Sequence, residues 1–193
     1  PQQPARPDFF VGREPERKNF YDFLSQTIHG SPMNMSIIGD RGMGKTSILV
    51  KFEEVAKMND CLVIRLSNYE GNVKDIVEFS DFLISNIETE LISKNVIAKG
   101  FESISKLVKS LSPSVSWKDI SLTLEKKQLT QGLLRERLIS IWKKVREKYH
   151  SIVIMIDEAE SIEKINALTF LREVFQRVDS EANYMLVLAG KLN

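Results

Sequence analysis

The segment from residue 39 to residue 46 runs Gly39-Asp40-Arg41-Gly42-Met43-Gly44-Lys45-Thr46. Its glycines allow the backbone N–H groups to wrap around an anion, in conformations that other residues rarely adopt. The apolar stretch Met35–Ile38 precedes it and predicts a strand. The residues from Ser47 onward predict a helix, whose positive dipole end faces the same anion. Lys45 then reaches the β- and γ-phosphates of a nucleotide, and the Thr46 hydroxyl ligates Mg²⁺. The spacing therefore predicts a phosphate-binding loop between a strand and a helix.

A second motif lies far downstream and runs Ile152-Val153-Ile154-Met155-Ile156-Asp157-Glu158. An apolar strand that ends in two carboxylates is the expected partner of such a loop, because open α/β sheets bind ligands beyond the carboxyl ends of their strands. Asp157 is predicted to hold Mg²⁺ through water, and Glu158 to take the proton of an attacking water. The alternative interpretation is that Asp157 and Glu158 only cap the following helix.

Four apolar segments predict strands, at Met35–Gly39, Cys61–Leu66, Ile152–Ile156 and Tyr184–Ala189. Between them, apolar residues recur at helical spacing and predict helices over Glu14–Ile28, Val73–Ile92, Leu133–Tyr149 and Ile165–Val178. Strands that alternate with helices indicate an α/β fold, in which a parallel sheet is covered by helices.

An insertion at about residues 96–128 interrupts this alternation. Val115-Ser116-Trp117 and Ile120-Ser121-Leu122-Thr123-Leu124 alternate apolar and polar residues around Lys118-Asp119, which predicts a β-hairpin between helices. Trp117 is either a recognition aromatic or part of a small core.

Composition narrows the possible functions. The chain has 193 residues, 27% of them charged, and a net charge of +1. This near-neutral balance argues against a nonspecific nucleic-acid binder, which needs a basic excess. Lys126 and Lys127 form a small basic cluster, interpreted as a solvated surface or as a contact for an acidic partner. No apolar run is long enough to cross a membrane, residues 1–10 predict an extended lead-in, and the single Cys61 suits a reducing, cytoplasmic setting.

A third motif, Phe9-Phe10-Val11-Gly12-Arg13-Glu14-Pro15-Glu16, precedes the phosphate-binding loop. This box resembles that of STAND-type and archaeal AAA+-like ATPases, and related boxes occur in the origin-recognition initiators. The loop, with Arg41 at its third position, is similar to the archaeal form. The ending Asp157-Glu158-Ala159-Glu160 also resembles the end of their Walker B strand.

The resemblance implies a three-layer P-loop NTPase of the additional-strand class, with sheet order 5-1-4-3-2 and with residues 11–193 as its core. The four predicted strands would be strands one to four. The fifth strand and the helical lid would be missing, so we expect the chain to be the front part of a longer protein. Residues Gly39 through Ser47 would hold the phosphates.

The resemblance also implies roles outside the loop. Val11, Gly12 and Arg13 would lie near the base, and Lys191 or Asn193 would be the γ-phosphate sensor. An arginine finger acting on a neighbouring subunit would be Arg172 or Arg177. Both are also interpreted as ordinary surface arginines.

The function predicted from these motifs is ATP binding and Mg²⁺-dependent ATP hydrolysis that drives a conformational or oligomerisation switch, as in signalling or defence ATPases. One alternative is a DNA-associated AAA+ ATPase of replication initiation or transposition. Another is a nucleotide-binding scaffold that does not hydrolyse. The predicted partners are ATP or ADP, further copies of the protein in a homo-oligomer and, through domains outside this chain, DNA; no membrane is expected.

Overall fold

The computed structural model describes residues 13–67, 73–111, 120–178 and 180–191, with backbone alone for residues 111 and 120–123. Val11, Gly12, Trp117 and Asn193 therefore lie outside the described residues. The elements, in chain order, are α1 (Glu14–Ile28), β1 (Met35–Ile38), α2 (Lys45–Met58), β2 (Leu62–Leu66), α3 (Ile76–Ser93), α4 (Ile104–Leu111), α5 (Ile120–Val145), β3 (Ile152–Ile156), α6 (Glu160–Glu163), α7 (Ala167–Val178) and β4 (Tyr184–Gly190).

The strands form one parallel sheet in the order β1-β4-β3-β2. The predicted α/β fold is confirmed, and the order agrees with the places assigned to strands one to four. All five residues of β3 are buried, as expected of an inner parallel strand covered on both faces. Because the strands are parallel, β1 and β3 both end at the edge of the sheet where the phosphate-binding loop begins.

The chain divides into two compact units. The first comprises the described residues within 1–68, 145–161 and 183–193, and it contains the whole sheet with α1 and α2. Phe20 of α1 stacks on Phe52 of α2, with ring centroids 4.0 Å apart and planes 4° from parallel. Both rings are almost fully buried. This contact packs α1 against the helix that follows the phosphate-binding loop.

The second unit comprises the described residues within 69–144 and 162–182. Asp75 caps α3 by accepting hydrogen bonds from the backbone N–H groups of Val77 and Glu78. Asp81 accepts bonds from the N–H groups of Ile104 and Ser105 at the start of α4. An acidic side chain therefore accepts hydrogen bonds from the backbone N–H groups at the start of each of these helices.

The predicted β-hairpin is wrong in its second half. Residues 120–124 form the first turn of α5, which runs for 26 residues, and residues 115–117 lie outside the described part. A five-residue alternation is too short to separate a strand from a helix. The good helix formers Glu125 to Gln128 follow directly, and they continue the helical backbone.

The cluster of Lys126 and Lys127 is internally paired rather than simply solvated. Lys126 Nζ lies 2.9 Å from Asp75 Oδ2, and Lys127 Nζ lies 2.7 Å from Glu173 Oε2. The hydrogen bond from Lys127 lowers the pKa of Glu173. Burial tends to raise the pKa of Asp75, but the bonds from Glu78 and Lys126 bring it below its ordinary value.

None of the helices in the described ranges combines the length and the apolar character that a bilayer crossing requires.

Candidate functional site

The phosphate-binding loop has the backbone that its glycines predict. Gly42 and Gly44 have φ angles of 86° and 76°, in the left-handed region that favours glycine. Gly44 is also the N-cap of α2, and as a glycine it provides no side-chain cap. The N–H groups at the start of a helix have no partner within the helix, so this N-terminus suits an anion such as a phosphate.

Alanine substitutions at two glycines should have opposite effects on stability. A Cβ at Gly44 or at Gly132 meets no heavy atom within 4 Å, so packing does not distinguish them. Gly44→Ala should destabilise the fold by about 1–2 kcal/mol, because a non-glycine residue is strained at positive φ. Gly132→Ala lies inside α5 and should stabilise the fold by about 0.5–1 kcal/mol. Urea unfolding measures the change in the free energy of unfolding for each variant. Changes of the same sign would contradict the positive φ angle described for Gly44.

Lys45 is held inside the loop. Its Nζ donates hydrogen bonds to the carbonyl oxygens of Gly39 (2.5 Å) and Asp40 (2.8 Å). A phosphate oxygen is a stronger acceptor for an ammonium group than a neutral carbonyl. Lys45 is thus positioned at the start of the loop, where a bound phosphate would compete for its protons.

The two predicted motifs meet at a hydrogen bond between Thr46 and Asp157. Thr46 Oγ1 donates to Asp157 Oδ2 at 2.7 Å, although the residues are 111 positions apart in the chain. Asp157 is only 7% exposed, and its Oδ1 accepts the backbone N–H of Glu158 at 3.0 Å. A hydroxyl and a carboxylate placed together in this way form an oxygen donor set that suits Mg²⁺.

This donor set agrees with a magnesium site completed by other ligands. Among the described residues, no cluster of three or more His, Cys, Asp and Glu side chains is suited to hold a metal. Mg²⁺ ordinarily takes one or two protein ligands, together with waters and substrate phosphates. Thr46 and Asp157 therefore fit Mg²⁺ as it is held beside a nucleotide.

Glu158 lies at the surface next to this pair. Its φ is 52°, so the chain turns sharply after β3. The Glu158 carbonyl accepts bonds from the N–H (2.9 Å) and the hydroxyl (2.7 Å) of Ser161. Within the described part of the chain, the hydrogen bonds of this turn use the Glu158 backbone and leave its carboxylate out. Among the described residues, the Glu158 carboxylate makes no capping hydrogen bond, so the cap interpretation does not account for this exposed side chain.

Arg13 contacts the phosphate-binding loop. Its guanidinium donates to the carbonyl oxygen of Met43 and lies 2.9 Å from Glu16 Oε1. Arg13 also has a left-handed backbone, with a φ of 58°, at the N-cap of α1. The contact with the loop carbonyl was not predicted from the sequence, where Arg13 was expected near the base.

The sensor candidate Lys191 lies just beyond β4. The carbonyl of Gly190 accepts the N–H of Gly39 at 3.2 Å, so β4 ends beside the start of the loop. Lys191 is exposed, and its backbone N–H donates to Glu160 Oε2 at 3.2 Å. Arg172 and Arg177, the arginine-finger candidates, are exposed on α7 in the second unit.

Arg65 belongs to this site but was missed by sequence reasoning. Its Nη2 lies 3.8 Å from Asp157 Oδ2, and its Nη1 lies 3.7 Å from Glu53 Oε2 on α2. The available signal was its position in the strand Leu62–Leu66, whose other residues are all apolar. A charged side chain in a largely buried strand is unfavourable unless an opposite charge lies nearby, so its presence predicts a charged partner.

Comparison with known proteins identifies the family. The family model described as AAA ATPase domain matches residues 10–188. An uncharacterised HTH-type transcriptional regulator of Methanocaldococcus jannaschii is 26% identical over 186 residues, which cover 94% of this chain and 43% of that protein.

Two solved structures share the fold. The Walker-type ATPase PABY2304 of Pyrococcus abyssi matches with a TM-score of 0.52 and 19% identity, over 98% of this chain and 47% of that one. The ORC2 protein of Aeropyrum pernix, solved as ADPNP-ADP complexes, matches with a TM-score of 0.54 and 13% identity, over 97% of this chain and 42% of that one. The chain thus spans less than half the length of each of these relatives. From the family match over most of its length, the chain belongs to the AAA ATPase domain family.

Proposed function

We propose that the chain binds ATP together with Mg²⁺, hydrolyses it, and thereby acts as a switch in a longer protein. The observation that supports this most directly is the 2.7 Å hydrogen bond between Thr46 Oγ1 and Asp157 Oδ2. It joins the phosphate-binding loop to the acidic end of β3 at the edge of the sheet where open α/β folds bind ligands.

In this proposal the loop from Gly39 to Ser47 holds the phosphates through backbone N–H groups, and Lys45 neutralises their charge. Val11, Gly12 and Arg13 lie on the side of the base. Thr46 and Asp157 hold Mg²⁺, which when bound would neutralise negative charge on the phosphates. The positive φ angles of Gly42 and Gly44 and the missing side-chain cap of α2 support the phosphate site.

Glu158 is the proposed general base. It accepts a proton from a water molecule as the water oxygen bonds to the γ-phosphorus. The bond from phosphorus to the bridging oxygen breaks, and ADP leaves with that electron pair. Two features support this role: the side chain is exposed, and it directly follows the proposed metal ligand.

The proposed output is a nucleotide-dependent change of conformation or of assembly, as in STAND-type ATPases. Lys191, beside the start of the loop, is the proposed sensor of the γ-phosphate. Arg172 or Arg177 is the proposed arginine finger for a neighbouring copy, and the exposure of both side chains supports such a contact. Residues 11–193 would form the ATPase core, with the insertion at about 96–128.

A DNA-associated role is the second candidate, and one relative favours it. The M. jannaschii protein is described as an HTH-type transcriptional regulator, and more than half of its length lies outside the match. Because this chain has a net charge of only +1, the DNA contacts would come from segments beyond it.

We also place the chain in the cytoplasm, where a reducing environment suits its only cysteine. Cys61 is buried and free. Burial, together with the charge of Asp60, raises its pKa to about 12, so the thiol stays protonated and unreactive at neutral pH.

The test is ATP turnover by the whole protein with and without duplex DNA, using the Glu158→Gln variant as the blank. We expect turnover above the blank. Strong stimulation by DNA would favour the replication or transposition role, and slow turnover with ATP-dependent assembly would favour the signalling switch. No release of phosphate by the wild type above a protein-free control, under either condition, would contradict the proposed hydrolysis.

A further inference from the structure

Arg65 is the one charged residue among the four described strands. Its side chain is 25% exposed, so it is largely withdrawn from water. It lies between two carboxylates, Asp157 at the end of β3 and Glu53 on α2. Glu53 has a second cation, because Lys57 Nζ lies 2.6 Å from its Oε1.

The contact between Arg65 and Asp157 acts through charge rather than through a directional bond. At 3.8 Å, the distance from Nη2 to Oδ2 exceeds that of a hydrogen bond. The same Oδ2 accepts the hydroxyl of Thr46. A fixed positive charge therefore lies beside the carboxylate that would hold a divalent cation.

We propose that Arg65 is a positioning residue that makes metal binding depend on nucleotide. Its guanidinium repels a divalent cation from Asp157, so the metal binds weakly to the protein alone. The negative phosphates of a nucleotide offset this repulsion, and Mg²⁺ then binds together with ATP. This inference rests on the proposed function for its biological role, but the metal affinity of the protein alone tests it independently.

The experiment is a titration of the full chain with Mn²⁺ in the absence of nucleotide. Electron paramagnetic resonance measures the concentration of free Mn²⁺ at each step. Arg65→Gln should bind Mn²⁺ about tenfold more tightly than the wild type, because one elementary charge a few ångströms from a divalent ion has an effect of this size in a partly aqueous setting. Arg65→Lys keeps the charge and should stay within about threefold of the wild type.

The matched control is Lys51→Gln, which removes one partly exposed cation paired with Glu54 on α2. It should leave the Mn²⁺ affinity unchanged. Adding Asp157→Asn to Arg65→Gln should abolish the gain, which places the metal at Asp157. Arg65→Met serves as a second variant if the glutamine variant unfolds, because an unbranched apolar side chain fits a buried strand.

An unchanged Mn²⁺ affinity in the folded glutamine and methionine variants would overturn the proposal. A gain that survives Asp157→Asn would overturn it as well. A parallel titration of the wild type with ATP separates a failure of the proposed nucleotide binding from a failure of the proposed role of Arg65. If ATP fails to bind while Arg65→Gln still gains Mn²⁺ affinity, the proposed nucleotide function fails and the effect of Arg65 on metal binding stands.

Discussion

Replacing Lys45 with alanine should lower the affinity for ATP by about a hundredfold or more. The ammonium group of Lys45 lies inside the loop, 2.5 Å from the carbonyl oxygen of Gly39 and 2.8 Å from that of Asp40. A hydrogen bond to an ionised group contributes about 1.5–3 kcal/mol, which is roughly ten- to a hundredfold in affinity. Lys45 would make more than one such bond, to the β- and γ-phosphates. Calorimetric titration with ATP measures the change.

The matched control is Lys51→Ala, which removes a lysine further along α2 that pairs with Glu54 at 2.8 Å. This variant loses the same charge from the same helix, but outside the phosphate-binding loop. It should therefore bind ATP as the wild type does. If Lys45→Ala kept a tight affinity for ATP, the phosphates would not bind in this loop.

Glu158→Gln should separate binding from hydrolysis. The variant keeps the size of the side chain and removes its basicity, so ATP should bind with nearly unchanged affinity. Turnover should fall by about a hundredfold to ten-thousandfold, which is the usual contribution of a general base. Single-turnover hydrolysis of radiolabelled ATP, with binding measured on the same sample, gives both quantities.

Glu163→Gln provides the control, because Glu163 is an exposed glutamate at the end of α6. Its rate should match that of the wild type. A Glu158→Gln variant that hydrolyses ATP at the normal rate would remove Glu158 from the reaction. Weak ATP binding by the same variant would instead indicate that its carboxylate supports the pocket.

The sheet was predictable because its strands carry their own signal. Cys61–Leu66 and Ile152–Ile156 are nearly continuous apolar runs, and such runs fit strands covered on both faces. The structure confirms Ile152–Ile156 at both ends and shifts the start of the earlier strand by one residue, to Leu62. The sequence also predicted that the loop and the acidic end of Ile152–Ile156 lie at one edge of the sheet, because parallel strands end on the same side. The direct hydrogen bond between Thr46 and Asp157 was not predicted.

Tertiary contacts between distant charges were not predictable in the same way. The sequence around Arg65 does not indicate that Asp157 is its neighbour, and the sequence around Arg13 does not indicate a contact with the carbonyl of Met43. Lys126 looked like a surface charge, because its partner Asp75 lies 51 positions away. These contacts arise from packing, which the periodicity of one segment does not encode.

The mistaken hairpin has a different cause. Ile120, Leu122 and Leu124 alternate with polar residues, as in a half-buried strand. Helical and extended backbones compete over so short a stretch, and here the helix continues from residue 120 for 26 residues. The exposed Leu124 shows that an apolar residue in this alternation does not mark a buried face.

The position of β4 has a consequence for synthesis of the chain on the ribosome. β4 is the last described strand in the sequence, yet it lies between β1 and β3 and is the strand with which β1 pairs. Until residues 184–190 leave the ribosome, β1 and β3 have no common partner, and their edges stay open to mispairing. The loop after β1 therefore acquires its final support late, and a nucleotide that binds only the completed loop would stabilise the growing chain only after that point.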